Sequence, residues 1–171
     1  MVCGLAIVEA VEATTGLVVG LKWPNDLVAG AGKLGGILAE IELQGQTLAH
    51  AVVGVGLNVN ISPAELPQDL LLPATSLSQL LGRPVPRLPL LQALLRAVER
   101  RTLALAAGHS PHDEWAERLV TVGRNVTVSG AGQAFHGTAE GVNPDGALLV
   151  RREDGRLETV LAGDVTLRGA A

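Results

Sequence analysis

Residues 21–38 read LKWPNDLVAGAGKLGGIL. Apolar runs flank a glycine turn at 29–32, and around it stand Lys22, Asn25, Asp26 and Lys33. Glycine adopts the positive φ that a tight reversal needs, so the stretch predicts a hairpin. Its polar residues have two readings. One is a solvated hairpin end. The other is a site that holds a phosphorylated or adenylated group, where fixed cations offset negative charge.

Outward from this hairpin, LVVGLKW (17–23) reads as a buried strand that Pro24 ends, since proline has no N–H for a ladder. KLGGILAEIEL (33–43) is the next strand, a turn follows at Gln44–Gln46, and AHAVVGVGLNVN (49–60) is the third, making a meander. The glycines at 35, 36, 54 and 56 mark a bulge or a place where a ligand approaches the backbone. Upstream, residues 2–14 set Val2, Leu5 and Ala6 apart from Glu9 and Glu12, the pattern of an amphipathic helix. Downstream, a loop with three prolines covers 61–73, and ATSLSQLLG is a short helix capped by Thr75 or Ser76. RLPLLQALLRAVERRTLALAAG is the clearest helix, with Leu88, Leu91, Leu95 and Val98 as its expected buried face. After Trp115 come short alternating strands with turns at SGAG, NPDG and EDGR, the texture of a small antiparallel barrel. The boundary falls near residue 120.

Composition narrows the functional classes. Of 171 residues 47% are apolar, enough for a packed core and against disorder. The net charge of −4 comes without the basic stripe of a nucleic-acid binder. The N-terminal run contains Glu9 and Glu12 and falls short of a membrane span. A single cysteine, Cys3, allows no intrachain disulfide and suits a reducing cytoplasm; the residue reads as a small buried apolar group. His50, His109, His112 and His136 have no metal-ligand spacing, so no structural metal is expected.

KWPND at 22–26, KLGGIL at 33–38 and GVGLNVN at 54–60, in that order, resemble the motifs of biotin–protein ligases. The likeness covers nearly the whole chain. It implies an α+β fold: part of a class-II-synthetase-like antiparallel sheet with helices over residues 1–119, then a small SH3-like β-barrel over 120–171. It implies ATP-dependent formation of biotinyl-5′-adenylate, with Mg²⁺, and transfer of biotin to a lysine of the biotin carboxyl carrier domain of acetyl-CoA carboxylase. By the same resemblance Lys33 contacts the biotin carboxylate and then the adenylate phosphate, against a reading as an ordinary turn lysine. Asp26 orients or deprotonates the acceptor lysine, or it only shapes the turn. Asn25 is a polar contact for nucleotide or metal-bound water, and Lys22 an electrostatic supporter. Gly35 and Gly36 border the ligand. Asn58 lies by the nucleotide, though the residues alone read as a strand-end amide. Asp164 and Arg168 belong to a segment that folds over the nucleotide, with Arg168 near phosphate, or to an exposed barrel strand. Trp23 reads as core. The related lipoate ligases share the fold, but KWPND followed by KLGGIL and the trailing barrel favours biotin.

Family members place a GRGRxGR-type loop and biotin-pocket residues upstream of KWPND, and these 171 residues contain none. The chain therefore reads as the second half of a catalytic domain plus the barrel. Either Met1 is an internal methionine of a longer active ligase, the favoured expectation, or the short chain is an inert fragment or a binding subunit of a split enzyme. An uncovered sheet edge invites a homodimer.

Overall fold

The computed structural model describes residues 1–65, 72–129 and 134–167. Helix α1, Val2–Thr15, ends at Gly16, whose φ of 74° lets its N–H cap the Glu12 carbonyl. Leu5, Ile7, Val8 and Val11 are buried along it, so the helix is enclosed on more of its circumference than a two-faced pattern predicts.

Four strands follow in one antiparallel sheet: β1 Gly20–Lys22, β2 Asp26–Ala29, β3 Gly32–Gln44 and β4 Thr47–Leu57, in the spatial order β1-β2-β3-β4. This corrects the three-stranded meander. The expected strand at 17–23 shrinks to three residues, with Val18 80% exposed, and Asp26–Ala29 forms a strand of its own. The reversal after KW is tight enough for Lys22 to pair with Asp26, while Gly30 at φ 57° turns the chain back again. A register shift between Leu27 and Val28 leaves Asp26 opposite Gly36 and Val28 opposite Lys33. The third strand also stops earlier than expected, at Leu57 rather than Asn60.

Ser76 caps α2, Leu77–Leu81, by accepting the Gln79 N–H. Helix α3, Arg87–Ala106, packs on α1, but not through its leucine stripe. Leu88, Leu91 and Leu95 are 65%, 50% and 59% exposed; Leu90 and Ala97 are the buried residues, and Val98 is half-buried. The expected face is therefore wrong. Long-range pairing overrides apolar count: small Ala97 is enclosed, and Arg100 and Arg101 pair with Glu9 of α1. Helix α4, His112–Glu117, follows, and Trp115 on it is buried.

The C-terminal segment is one antiparallel sheet of β5 Asn125–Ser129, β6 Phe135–Val142, β7 Leu148–Arg152, β8 Leu157–Val160 and β9 Asp164–Leu167, ordered β8-β7-β6-β5-β9. Strands β8 and β9 are its two edges, and among the described residues no ladder between them closes a barrel. The two sheets share one apolar core running from Leu5, Trp23 and Leu34 to Val126, Leu148 and Val150. The connection 118–121 joins them. Leu21 donates its N–H to the Arg118 carbonyl at 2.9 Å, and Val120 donates to the Leu21 carbonyl at 2.8 Å. The linking segment thus adds a short parallel edge to β1.

His112 also ties the two parts: Nε2 lies 2.9 Å from the Asn143 carbonyl and Nδ1 2.9 Å from Asp113 Oδ1. The hydrogen bond to the Asp113 carboxylate raises the imidazole's pKa above its ordinary 6.5. The folded chain then holds this proton more tightly than the unfolded one. The stabilisation is complete below pH 6.5 and is lost as pH rises through the raised value. The gap in urea midpoint between the native chain and His112→Gln is expected to narrow from about pH 5.5 to about pH 8.5, followed by circular dichroism.

Candidate active site

The turn between β1 and β2 and the start of β3 bring three charged side chains together. Asp26 Oδ1 is 2.5 Å from Lys33 Nζ, and Oδ2 is 3.5 Å from Lys22 Nζ. Lys22 and Asp26 are largely covered, with 14% and 17% of their side chains exposed, while Lys33 is more open at 37%. One carboxylate between two ammonium groups leaves the cluster cationic. Its most open member is Lys33, placed to meet an incoming anion.

Backbone contacts hold this geometry. Lys33 donates its N–H to the Pro73 carbonyl at 2.7 Å and accepts from the Thr75 N–H at 2.8 Å. Its main chain is thus anchored on both sides, independently of the side chain. Asn25 is clamped to β3: Nδ2 donates to the Ile37 carbonyl at 2.8 Å, and the Ile37 N–H donates to the Asn25 carbonyl at 2.9 Å. The amide therefore shapes the turn that presents Asp26. Gly36 faces this pair, since a Cβ there would lie 3.6 Å from the Asn25 carbonyl oxygen and from Asp26 Oδ1. Gly35 is different: a Cβ would stand 2.1 Å from the Gly56 carbonyl oxygen. Close approach of β3 and β4 demands glycine at that position.

Asn58 is not gathered into the charged cluster. Its Nδ2 donates to the Thr75 carbonyl at 3.0 Å, its N–H to the Leu34 carbonyl, and its carbonyl accepts from Leu77. It braces the 73–77 segment on which Lys33 rests. That bracing role, and those of Pro73 and Thr75, were missed in the sequence; no local pattern links positions so far apart. Asp164 is the exposed first residue of the edge strand β9, whose Val165 is buried. Arg168 lies outside the described residues. Trp23 is indeed buried, at 2% exposure, and it also makes two hydrogen bonds taken up below.

Among the described residues no three His, Cys, Asp or Glu side chains gather as a metal site. Both oxygens of Asp26 already face lysines, so the cluster does not fit a resident cation.

Residues 1–58 match the Biotin/lipoate A/B protein ligase family, and residues 121–168 match the Biotin protein ligase C terminal domain. The chain carries both matches in one polypeptide, the first at its N-terminal end and the second at its C-terminal end. It is 36% identical to the biotin–[acetyl-CoA-carboxylase] ligase of Mycobacterium tuberculosis over 170 residues, covering 96% of this chain and 60% of that one. To the bifunctional ligase/repressor BirA of Bacillus subtilis it is 29% identical over 169 residues, 98% of this chain and 52% of the relative. It thus spans about half the length of that relative. The apo biotin protein ligase of Aquifex aeolicus superposes with a TM-score of 0.82 at 27% identity, over 98% of this chain and 72% of that one. The same Aquifex ligase in complex with biotin and ATP gives 0.79 at 28%, over 98% and 69%.

Proposed function

We propose that this chain carries the chemistry of an ATP-dependent biotin–protein ligase. An oxygen of the biotin carboxylate attacks the α-phosphorus of MgATP. A phosphorus–oxygen bond forms, pyrophosphate leaves, and biotinyl-5′-adenylate results. The ε-amine of a lysine on the biotin carboxyl carrier domain of acetyl-CoA carboxylase then attacks the acyl carbon, loses a proton, and displaces AMP. The observation that carries this reading is the Lys22–Asp26–Lys33 cluster, whose excess positive charge suits the meeting of two anionic reactants. Lys33 binds the carboxylate and then the phosphate. Asp26 holds both lysines and, once Lys33 turns to the ligand, is free to orient the acceptor amine. Mg²⁺ enters with the nucleotide as part of the substrate. The Aquifex complex with biotin and ATP supports the choice of ligands.

In this reading residues 1–119 belong to the catalytic domain and 120–171 to the C-terminal domain. ATP chemistry and the lone cysteine suit the cytoplasm; no helix of the described residues is long and apolar enough to cross a membrane. One observation favours a second reading, binding without turnover. Strand β4 is exposed from Thr47 to Gly56, and on the outer half of the β3–β4 hairpin Ile41, Leu43, Leu48 and Val53 are open on one face, with Leu38 and Val52 on the other. A surface of this kind is a place for another polypeptide, and an unpaired edge strand accepts a second copy. Giving the purified chain biotin, MgATP and carrier domain separates the two: biotinyl-adenylate detected by mass spectrometry supports turnover, and its absence with carrier domain still bound supports the second reading.

A further inference from the structure

Trp23 lies between Lys22 and the turn residues Asn25 and Asp26, but its polar groups reach across to the C-terminal part of the chain. Its backbone N–H donates to Thr121 Oγ1 at 2.9 Å, and its indole Nε1–H donates to the Gly146 carbonyl at 2.9 Å. Thr121 is completely buried, and Trp23 is 2% exposed. Gly146 belongs to the turn between β6 and β7, the same turn whose Asn143 carbonyl meets His112. Two residues before Trp23, Leu21 exchanges hydrogen bonds with Arg118 and Val120. Residues 21–23 are thus held by groups about a hundred positions away, while Asn25 is held by Ile37 of β3.

We propose that Trp23 is a positioning residue, through which the C-terminal sheet sets Lys22 and Asp26 against Lys33. The functional consequence rests on the ligase reading above; the mechanical coupling does not. The reason is geometric. Lys22 and Asp26 flank a three-residue reversal, so a shift of Trp23 moves both charged groups relative to Lys33, which is anchored separately on Pro73 and Thr75. Displacements of about 1 Å at a reacting centre cost on the order of a hundredfold in rate. The C-terminal sheet therefore contributes to the site through backbone placement as well as through any ligand contact.

Two substitutions remove the bonds with little change of shape. Thr121→Val keeps the volume and deletes the acceptor, leaving the Trp23 N–H buried without a partner. Trp23→Phe keeps an aromatic ring and deletes the indole donor. Thr121→Ser retains the hydroxyl. Amide hydrogen exchange on the whole chain is expected to speed up about tenfold at Leu21 and Ile37 in Thr121→Val and Trp23→Phe, with Leu5–Val11 unchanged and Thr121→Ser close to native. Unchanged rates at Leu21 and Ile37, or equal acceleration at Leu5–Val11, would overturn the coupling. In adenylate formation the first two variants are expected to lose about tenfold in kcat with KM for MgATP unchanged. A raised KM with native kcat would make these residues binding contacts and overturn the positioning role. If the unsubstituted chain makes no adenylate, the ligase reading fails for this chain, and the exchange experiment still decides the coupling.

Discussion

Lys33→Ala is expected to lower biotinyl-adenylate formation by about 10²–10³ while leaving the chain folded. The structure separates the two effects. The Lys33 side chain is more than a third exposed and contributes an ammonium group to one ion pair, so removing it opens no core cavity. What anchors this point of β3 is the backbone, bonded to Pro73 and Thr75, and alanine keeps both bonds. The loss falls on the step in which the carboxylate and the α-phosphate come together, because a preorganised cation offsets their repulsion only there. Lys33→Arg is a poor substitute, since a planar guanidinium cannot replace a compact ammonium next to Asp26. Asp26→Asn should act differently. It releases both lysines but leaves them charged, so adenylate formation falls less than transfer to the carrier lysine, which needs the carboxylate. Single-turnover mass spectrometry of the adenylate, followed by addition of purified carrier domain, measures the two steps apart. Equal losses in both steps would refute the division of roles between Lys33 and Asp26.

The second large effect concerns neighbouring glycines with opposite reasons for being glycine. Gly35→Ala is expected to destabilise the chain by about 3 kcal/mol, the upper part of the range for an overfilled site. The added methyl would meet the Gly56 backbone carbonyl oxygen at 2.1 Å, and a main-chain atom in a ladder has no rotamer to escape into. For a chain of this size that is a fall of roughly 6–12 °C in Tm. Gly36→Ala is expected to keep native stability, because its methyl would find the Asn25 carbonyl oxygen and Asp26 Oδ1 at 3.6 Å, an ordinary contact. It would stand beside the charged pair, so adenylate formation suffers while Tm holds. Thermal melts and adenylate assays on the two variants check both halves; a stable Gly35→Ala protein would mean that β3 and β4 lie further apart than described.

These glycines also show how far the sequence can be read. That GG inside an apolar strand marks a bulge or a place where a ligand approaches the backbone was legible in the sequence; that Gly35 is closed in by the Gly56 carbonyl while Gly36 faces Asn25 and Asp26 was not. Both pair with β4, some twenty residues further on, and the distinction depends on the Gly56 carbonyl standing where a Gly35 side chain would go. The same limit applies to α3. Its length follows from the run of helix formers at 87–106, but its buried face does not follow from its leucines. Several of them face outward because α1 accepts Leu90 and Ala97 and pairs Glu9 with two arginines.

By itself the sequence determined the order of the three motifs, the hairpin that brings Lys33 back toward Asp26, the longest helix, and the change to short strands after Trp115. Each of these rests on neighbours in the chain: turn glycines, a proline, a repeating apolar period. Only the tertiary structure decided that Asp26–Ala29 is a strand, that Asn58 braces the segment under Lys33, and that Trp23 is bonded to Thr121 and Gly146. Those outcomes depend on partners up to 123 positions apart, and a buried donor finds its acceptor through packing, which no local pattern encodes.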